Sequence, residues 1–283
     1  MPLNLSERRT NFVTLFDDTY NQPDCRAYYR MLKSLGYSNH AHAVPVFRSL
    51  LGDLMRKRGL QAPSVLDFAS SYGIVSALVR HDVSAEAFLE RYEDTDLDNL
   101  NPEEMVRRDA DWLADLPESF PGARFAGIDV AGNAVAYGQA IGLFDNAFDE
   151  DLERADPSVP LAETLSSTDL IIECGSVAHL MPAALERLLH ATAGKRPWIV
   201  TSPVRGNERK EAFDLLRDHG LVIDTLGLPP FPHRRFDSLS EQARAIDIAR
   251  AAGHDTSGFE TTGHFYAQIY VARPPEEATA SGR

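Results

Sequence analysis

Two acidic residues, each placed between an apolar run and a set of small residues, are where this chain's residue types and spacing can do chemistry. Asp67 follows Val65 and Leu66 and precedes Ala69, Ser71 and Gly73, small residues at alternate positions. Asp129 follows Phe125–Ile128 and precedes Val130 and Gly132. A turn with almost no side chain lets a ligand approach the backbone. A helix after that turn aims its free N–H groups and the positive end of its dipole at the ligand. A carboxylate at a strand end is a fixed acceptor, and the second one is able to take both hydroxyls of a ribose. The pair predicts a nucleotide cradle beyond the C-terminal ends of two neighbouring parallel strands.

The elements that must position these residues follow from the pattern around them. SVLDFASSYGIVSALVR, residues 64–80, reads as a strand, a small-residue turn and a helix over Ile74–Arg80. RFAGIDVAGNAVAYG, residues 124–138, repeats strand, acid and helix. Ile141–Leu152 is expected to hold the third strand and its loop, with Asp145 and Asn146 as polar candidates. Leu170–Glu173 reads as a buried fourth strand ending in the turn Cys174-Gly175-Ser176. Pro197–Pro203 and Leu221–Leu226 are the fifth and sixth strands. Between them lies a helix over Glu208–His219. A proline-rich loop, Gly227–His233, and a helix near Leu239–Ala252 come next. The alternating Gly263–Arg273 closes the sheet as a seventh strand.

Two segments stand outside this alternation. Residues 1–61 read as a helical extension, with helices over Asp24–Leu35 and Val44–Arg58 and a mixed polar and apolar opening at Asn4–Phe16. Asp24 is the expected N-cap of the first, and Gly36 and Gly59 the expected stops. The polar and aromatic Gly36–His42 joins them. Residues 81–122 form an insertion with helices over Ser84–Glu93 and Pro102–Leu116, longer than an ordinary connection. The core domain is placed at 62–273, and 274–283 is a polar tail.

The chain has 283 residues, a formal net charge of −14 and 43% hydrophobic residues. That is ordinary globular composition with an acidic surface, which argues against a nucleic-acid substrate. The opening MPLNLSERRTNF lacks the apolar core of a signal peptide, and no apolar run reaches transmembrane length, so the expectation is a cytoplasmic protein without membrane contact. Cys25 and Cys174 stand far apart and read as reduced thiols, and no Cys/His spacing suggests a metal. The oligomeric state is left open between monomer and homodimer.

SVLDFASSYG resembles the first motif of the class I S-adenosylmethionine-dependent methyltransferases, D-x-G-x-G-x-G, with Ala69 and Ser71 in place of two glycines. GIDVAGNAVAYG resembles their second motif. The resemblance covers residues 62–273. It implies an α/β, Rossmann-like fold: a seven-stranded, mostly parallel sheet with an antiparallel last strand and a helical N-terminal lid. It also implies S-adenosylmethionine, as methyl donor or as sole substrate, held by Asp67, Ala69, Ser71, Gly73, Asp129 and Val130. Asp145 or Asn146 would meet the adenine amino group, and Glu173, Cys174 and Gly175 would face the reactive methylthio end. Tyr20, Tyr28, Tyr29, Tyr72 and Glu173 are candidates to sit against a sulfonium. Tyr28, Tyr29, Ser176 and His179 are the expected catalytic residues, with His179 as a general base.

The activity first in rank is methylation of a small molecule in specialised biosynthesis. Second is the non-methylating azetidine-2-carboxylate synthase chemistry of the same fold, in which the amino group of S-adenosylmethionine displaces methylthioadenosine. A binding scaffold without catalysis is the third reading, suggested by the two replaced glycines. A nicotinamide oxidoreductase is disfavoured, because the small residues alternate instead of following G-x-G-x-x-G.

Overall fold

A computed structural model of the chain describes residues 19–175 and 181–278, and the expected helical opening at Asn4–Phe16 lies outside them. The main sheet runs in the order β3-β2-β1-β4-β5-β9-β6. Its strands are β1 Ser64–Phe68, β2 Arg124–Ile128, β3 Asn146–Phe148, β4 Leu170–Glu173, β5 Trp198–Thr201, β6 Val222–Asp224 and β9 Tyr270–Arg273. β1 pairs in parallel with both β2 and β4, and β9 runs antiparallel between β5 and β6. The chain builds outward from β1 through β2 to β3, then returns to lay β4 on the other side of β1. That reversal makes the β1/β4 boundary the switch point, the place where α/β sheets bind ligands.

Both faces of the sheet are covered, so its strands are near-continuous apolar runs instead of alternating ones. Val65, Phe125, Leu170, Ile172, Trp198 and Val271 point into one layer. There they meet α1 Arg26–Ser34, α2 Asn39–Arg58, α3 Ile74–Arg80 and α6 Gly132–Ala140, together with the insertion's α4 Ala85–Glu90 and α5 Pro102–Ala114. Leu66, Ala126, Ile171, Ile199 and Ala272 point the other way, into α7 Val159–Ser167, α8 Pro182–Ala191 and α9 Lys210–Asp218. This is the expected fold class, an α/β, Rossmann-like, mostly parallel sheet.

Three boundaries differ from expectation, each for a local reason. α2 begins at Asn39, five residues before the expected Val44, so His40 and His42 lie in its first turn and not in a connector. Pro45 suggests a helix start because it suits the first turn. Here it sits inside the helix, and the carbonyl it leaves without a donor belongs to Ala41, an exposed residue. The proline-rich Gly227–His233 contains a strand, β7 Phe231–Arg235, which tolerates Pro232 because the register shifts between Pro232 and Arg234. Gly263–Arg273 is two strands, not one. β8 His264–Ala267 pairs with β7, and the chain then crosses at Gln268-Ile269 to enter the main sheet as β9. The buried Gln268 amide donates to the carbonyls of Leu228 and Ile269 at that crossing. α10 Leu239–Ala251 completes this subdomain.

The insertion anchors the N-terminal helices. Asp109 on α5 is fully buried, and its Oδ2 accepts from Tyr92 Oη at 2.8 Å, Tyr137 Oη at 2.6 Å and Cys25 Sγ at 3.7 Å. One carboxylate thereby joins α1, the insertion and α6. Asp24, the expected cap of α1, accepts from the Arg26 backbone N–H at 3.1 Å and from its guanidinium, while Cys25 holds the N-cap position.

Candidate active site

The turn after β1 takes left-handed backbone at three alternate positions: φ is 58° at Ala69, 50° at Ser71 and 83° at Gly73. Only glycine enters this region without steric cost, so the small residues are a conformational requirement, and Ala69 and Ser71 each carry strain of about 1–2 kcal/mol. The turn is fastened to the end of β2. Ser70 N donates to the Ile128 carbonyl at 3.1 Å, and Ser71 N donates to Asp129 Oδ2 at 2.9 Å. Asp129 Oδ1 accepts from Ala131 N at 2.9 Å, and Tyr20 Oη donates to Oδ2 at 3.4 Å.

Asp67 and Asp129 therefore stand on adjacent strands at the same end of the sheet but do different work. Asp67 is buried, and its Oδ2 accepts from Ser76 N at 3.2 Å and Ser76 Oγ at 2.8 Å. Gly73, the N-cap of α3, has no side chain to cap the helix, so Asp67 supplies the missing acceptor from the strand. Burial pushes its pKa up to about 7, with the Asp129 charge adding to the effect. Gly73 is packed for closeness: a Cβ there would lie 2.9 Å from the Phe144 ring.

A cleft of about 90 Å³ opens beyond β1, β2 and β3. Ala69, Asp129, the half-exposed Val130 and Tyr20 line one side, and Glu150, Asp151 and Leu152 line the other. Tyr20 is held over it by its neighbours: Asn133 N donates to Asn21 Oδ1 at 2.7 Å, and Tyr72 Oη donates to the Gln22 carbonyl at 2.8 Å. Tyr20 and Tyr28 meet edge to face at 5.4 Å, and Tyr28 and Tyr72 lie 5.3 Å apart. This row of rings presents π-faces of the kind that attract cations.

Several expected site residues stand elsewhere. Asp145 and Asn146 are at the end of β3 away from the cleft. Asn146 pairs with Ala126 while Phe148 pairs with Ile128, which puts Asp145 about 10 Å back along the strands from the cleft. Asp145 Oδ2 instead accepts from Phe125 N at 2.7 Å and faces Arg80. The acidic residues of this segment that do reach the cleft are Glu150, Asp151 and Glu153. The run FDEDL carries that signal once the strand is confined to 146–148. Tyr29 is fully buried among Tyr72, Phe88 and Tyr92, with its hydroxyl donating to the Tyr72 carbonyl at 3.0 Å, so it packs in the core and does not line the cleft. Glu173 faces the opposite layer, where Thr201 Oγ1 donates to it beside Phe68, Ile171 and Leu185. Ser176 and His179 lie outside the described residues.

Cys174 and Gly175 leave β4 beside α2. Asn39 Nδ2 donates to Cys174 Sγ and to Ser202 Oγ, both at 3.3 Å, and burial together with the Glu173 charge holds the Cys174 thiol well above its ordinary pKa. That thiol is protonated and inert as a nucleophile. Tyr37 Oη and His233 Nε2 meet at 2.9 Å beside Gly175. The sequence does not group them, because His233 lies 196 residues from Tyr37 and shares no motif with the Gly36–His42 stretch that holds Tyr37 and Asn39.

Among the described residues, no group of three or more His, Cys, Asp or Glu side chains could hold a metal ion, and no helix is long and apolar enough to cross a membrane. No protein-family model matches the sequence, and no curated protein matches it. Solved structures are similar in fold. A TehB-like S-adenosylmethionine-dependent methyltransferase from Corynebacterium glutamicum aligns over 86% of this chain and 93% of its own, at 13% identity and a TM-score of 0.39. The magnesium protoporphyrin IX methyltransferase of Synechocystis PCC 6803, solved with bound S-adenosylmethionine, aligns over 83% and 80% at 13% identity and a TM-score of 0.40. The plantazolicin methyltransferase BpumL, in complex with a triazolic desmethylPZN analog and S-adenosylhomocysteine, aligns over 87% and 90% at 13% identity and a TM-score of 0.41.

Proposed function

We propose that this chain binds S-adenosylmethionine in the cleft beyond β1, β2 and β3 and methylates a small molecule. The observation that carries this reading is the Asp129 carboxylate, set at the cleft wall beside the switch point and braced by two backbone N–H groups. Ser71 N and Ala131 N hold its two oxygens at the cleft wall, where a ribose hydroxyl would donate to a carboxylate. A ribose hydroxyl takes the place that Tyr20 Oη now holds. Leu152 and Val130 offer apolar contact to an adenine ring, and Glu150 or Asp151 an acceptor for its amino group. The left-handed turn keeps Ala69 and Ser71 low against the ligand.

S-adenosylmethionine, when bound, supplies an electrophilic methyl group on a positively charged sulfur. The rings of Tyr20 and Tyr28 lie against that charge without competing for the methyl group. Asp67 holds α3 and the turn in place, and its own carboxylate stays out of the reaction. Proximity and orientation then carry much of an in-line displacement.

Calorimetric titration with S-adenosylhomocysteine and with NADH tests the reading. Binding of the first and not the second supports it, and no binding of the first overturns it. Incubation with S-adenosylmethionine alone, against a heat-killed control, separates the chemistries. Methylthioadenosine with a cyclic amino acid would replace methyl transfer by the cyclase reaction. S-adenosylhomocysteine formed only with an acceptor present would establish the methyltransferase.

A further inference from the structure

The far wall of the cleft is a loop without helix or strand, residues 149–156. It carries Asp149, Glu150, Asp151, Glu153 and Asp156 against a single base of its own, Arg154. Glu150, Asp151, Leu152 and Glu153 line the cleft. Like charges held this close repel one another, so such a loop spreads unless something outside it holds it in place.

One end is fastened where the loop meets α7. Ser158 N and Ser158 Oγ donate to Glu150 at 2.8 and 2.6 Å. The loop's own backbone bonds close on Asp151, whose carbonyl accepts from Arg154 N at 3.0 Å and Ala155 N at 3.1 Å. The next two carbonyls go to a different element. Arg187 Nη1 donates to the Leu152 carbonyl at 2.7 Å and to the Glu153 carbonyl at 3.1 Å. Arg187 Nε donates to Asp156 Oδ1 at 2.8 Å.

Arg187 stands on α8, three residues after Ala184, which itself lines the cleft. Residues three apart share a helix face, so the face of α8 that meets the cleft also carries the guanidinium. Leu185, Leu188 and Leu189 bury α8 against the sheet and make it a firm support. A guanidinium presents its N–H donors in one rigid plane, so three bonds from a single side chain set both the distance and the tilt of the loop. The pairing with the exposed Asp156 contributes little by itself. The two carbonyl bonds matter more, because they fix the backbone of Leu152 and Glu153, residues on the cleft wall.

We propose that Arg187 is a positioning residue for recognition of the adenine base. It holds the 150–153 wall where the carboxylates accept from an exocyclic amino group and Leu152 meets the ring, and it does not touch the ligand itself. The inference rests on the cleft being the S-adenosylmethionine site. Its consequence is selectivity. With the wall in place, a base bearing an amino donor is matched by carboxylates, and a base bearing a carbonyl at the same position is repelled by them. With the wall released, both bases meet water and the difference shrinks.

Calorimetric titration with S-adenosylhomocysteine and with S-inosylhomocysteine, in which a carbonyl replaces the adenine amino group, tests this on the unmodified protein and on Arg187→Ala. The unmodified protein is expected to prefer S-adenosylhomocysteine. Arg187→Ala is expected to weaken that ligand about tenfold, the worth of one hydrogen bond from a charged donor, and to weaken the inosine ligand less. A brace that merely stabilised the fold would lower both affinities alike and leave the preference unchanged. Arg187→Lys keeps the charge and loses the planar fork, so it serves if Arg187→Ala does not fold, and it is expected to shift the preference in the same direction by less. Equal affinity of the unmodified protein for the two ligands, an equal loss for both in a folded variant, or undiminished affinity for S-adenosylhomocysteine overturns the proposal. Failure of S-adenosylhomocysteine to bind the unmodified protein strikes the reading of the cleft, and the proposal falls with it.

Discussion

The Asp129 carboxylate accepts the backbone N–H of Ser71 at 2.9 Å, so the end of β2 holds the turn that follows β1. One side chain shapes the turn and lines the cleft. Replacing it damages both at once. Asp129→Ala is expected to lower S-adenosylhomocysteine affinity by about tenfold or more, since hydrogen bonds to a charged group contribute about 1.5–3 kcal/mol. Calorimetry reads this directly, and an unchanged Kd would remove Asp129 from the ribose site.

Asp67 gives the fold a pH dependence of defined sign. Its carboxyl has an ordinary pKa near 3.8 and is pushed up to about 7 in the fold. Between those values the folded chain keeps a proton that the unfolded chain has lost, so stability falls as pH rises from about 4 to about 7 and is level in this respect above that. Asp67→Asn keeps an acceptor for Ser76 and removes the buried charge. Its melting temperature, relative to the unmodified protein, is therefore expected to be higher at pH 8 than at pH 5. An equal difference at both values would show that Asp67 does not titrate in this window.

The turn and both carboxylates were legible in the sequence because small residues at alternate positions have one physical cause, a backbone that goes left-handed at every second residue. The parallel strands were legible because burial on both faces makes them short apolar runs. β3 was harder to place. It is three residues long, and GLFDNAFDEDL offers acids at both of its ends, so its register on β2 had to be seen before Asp151 could be told from Asp145. Tyr29 could not be told from Tyr28, since a helix buries one and half-exposes its neighbour according to a packing partner, the insertion, that has no motif. The meeting of Tyr37, Asn39 and His233 depends on β7, a strand hidden by its proline.

The corrected placement of β3 separates two acidic residues that look alike in the sequence. Asp145→Ala is expected to leave S-adenosylhomocysteine affinity unchanged while lowering the melting temperature, because it frees the Phe125 N–H and removes the charge facing Arg80. Leu152→Asp puts a charge against the proposed adenine position and is expected to weaken the same ligand. Parallel titrations of the two variants decide between the ends of the strand. A loss of affinity in the Asp145 variant alone would return the adenine contact to the start of β3.

Ala69 and Ser71 hold φ of 58° and 50°, conformations that glycine adopts freely. Ala69→Gly and Ser71→Gly are each expected to raise stability by about 1 kcal/mol, the relief of left-handed strain outweighing the entropy gained by the unfolded chain. Gly73→Val is expected to act in the opposite direction. It adds a β-branched side chain at φ 83° and drives a Cβ to 2.9 Å from Phe144 and 3.1 Å from Leu143. Overpacking of this kind costs about 1–3 kcal/mol before the backbone strain is added. The opposite signs are what make the set informative, since a turn that merely tolerated small residues would lose stability with all three changes. Chemical denaturation of the four proteins measures it, and destabilisation by both glycine variants would show that the turn is relaxed as it stands.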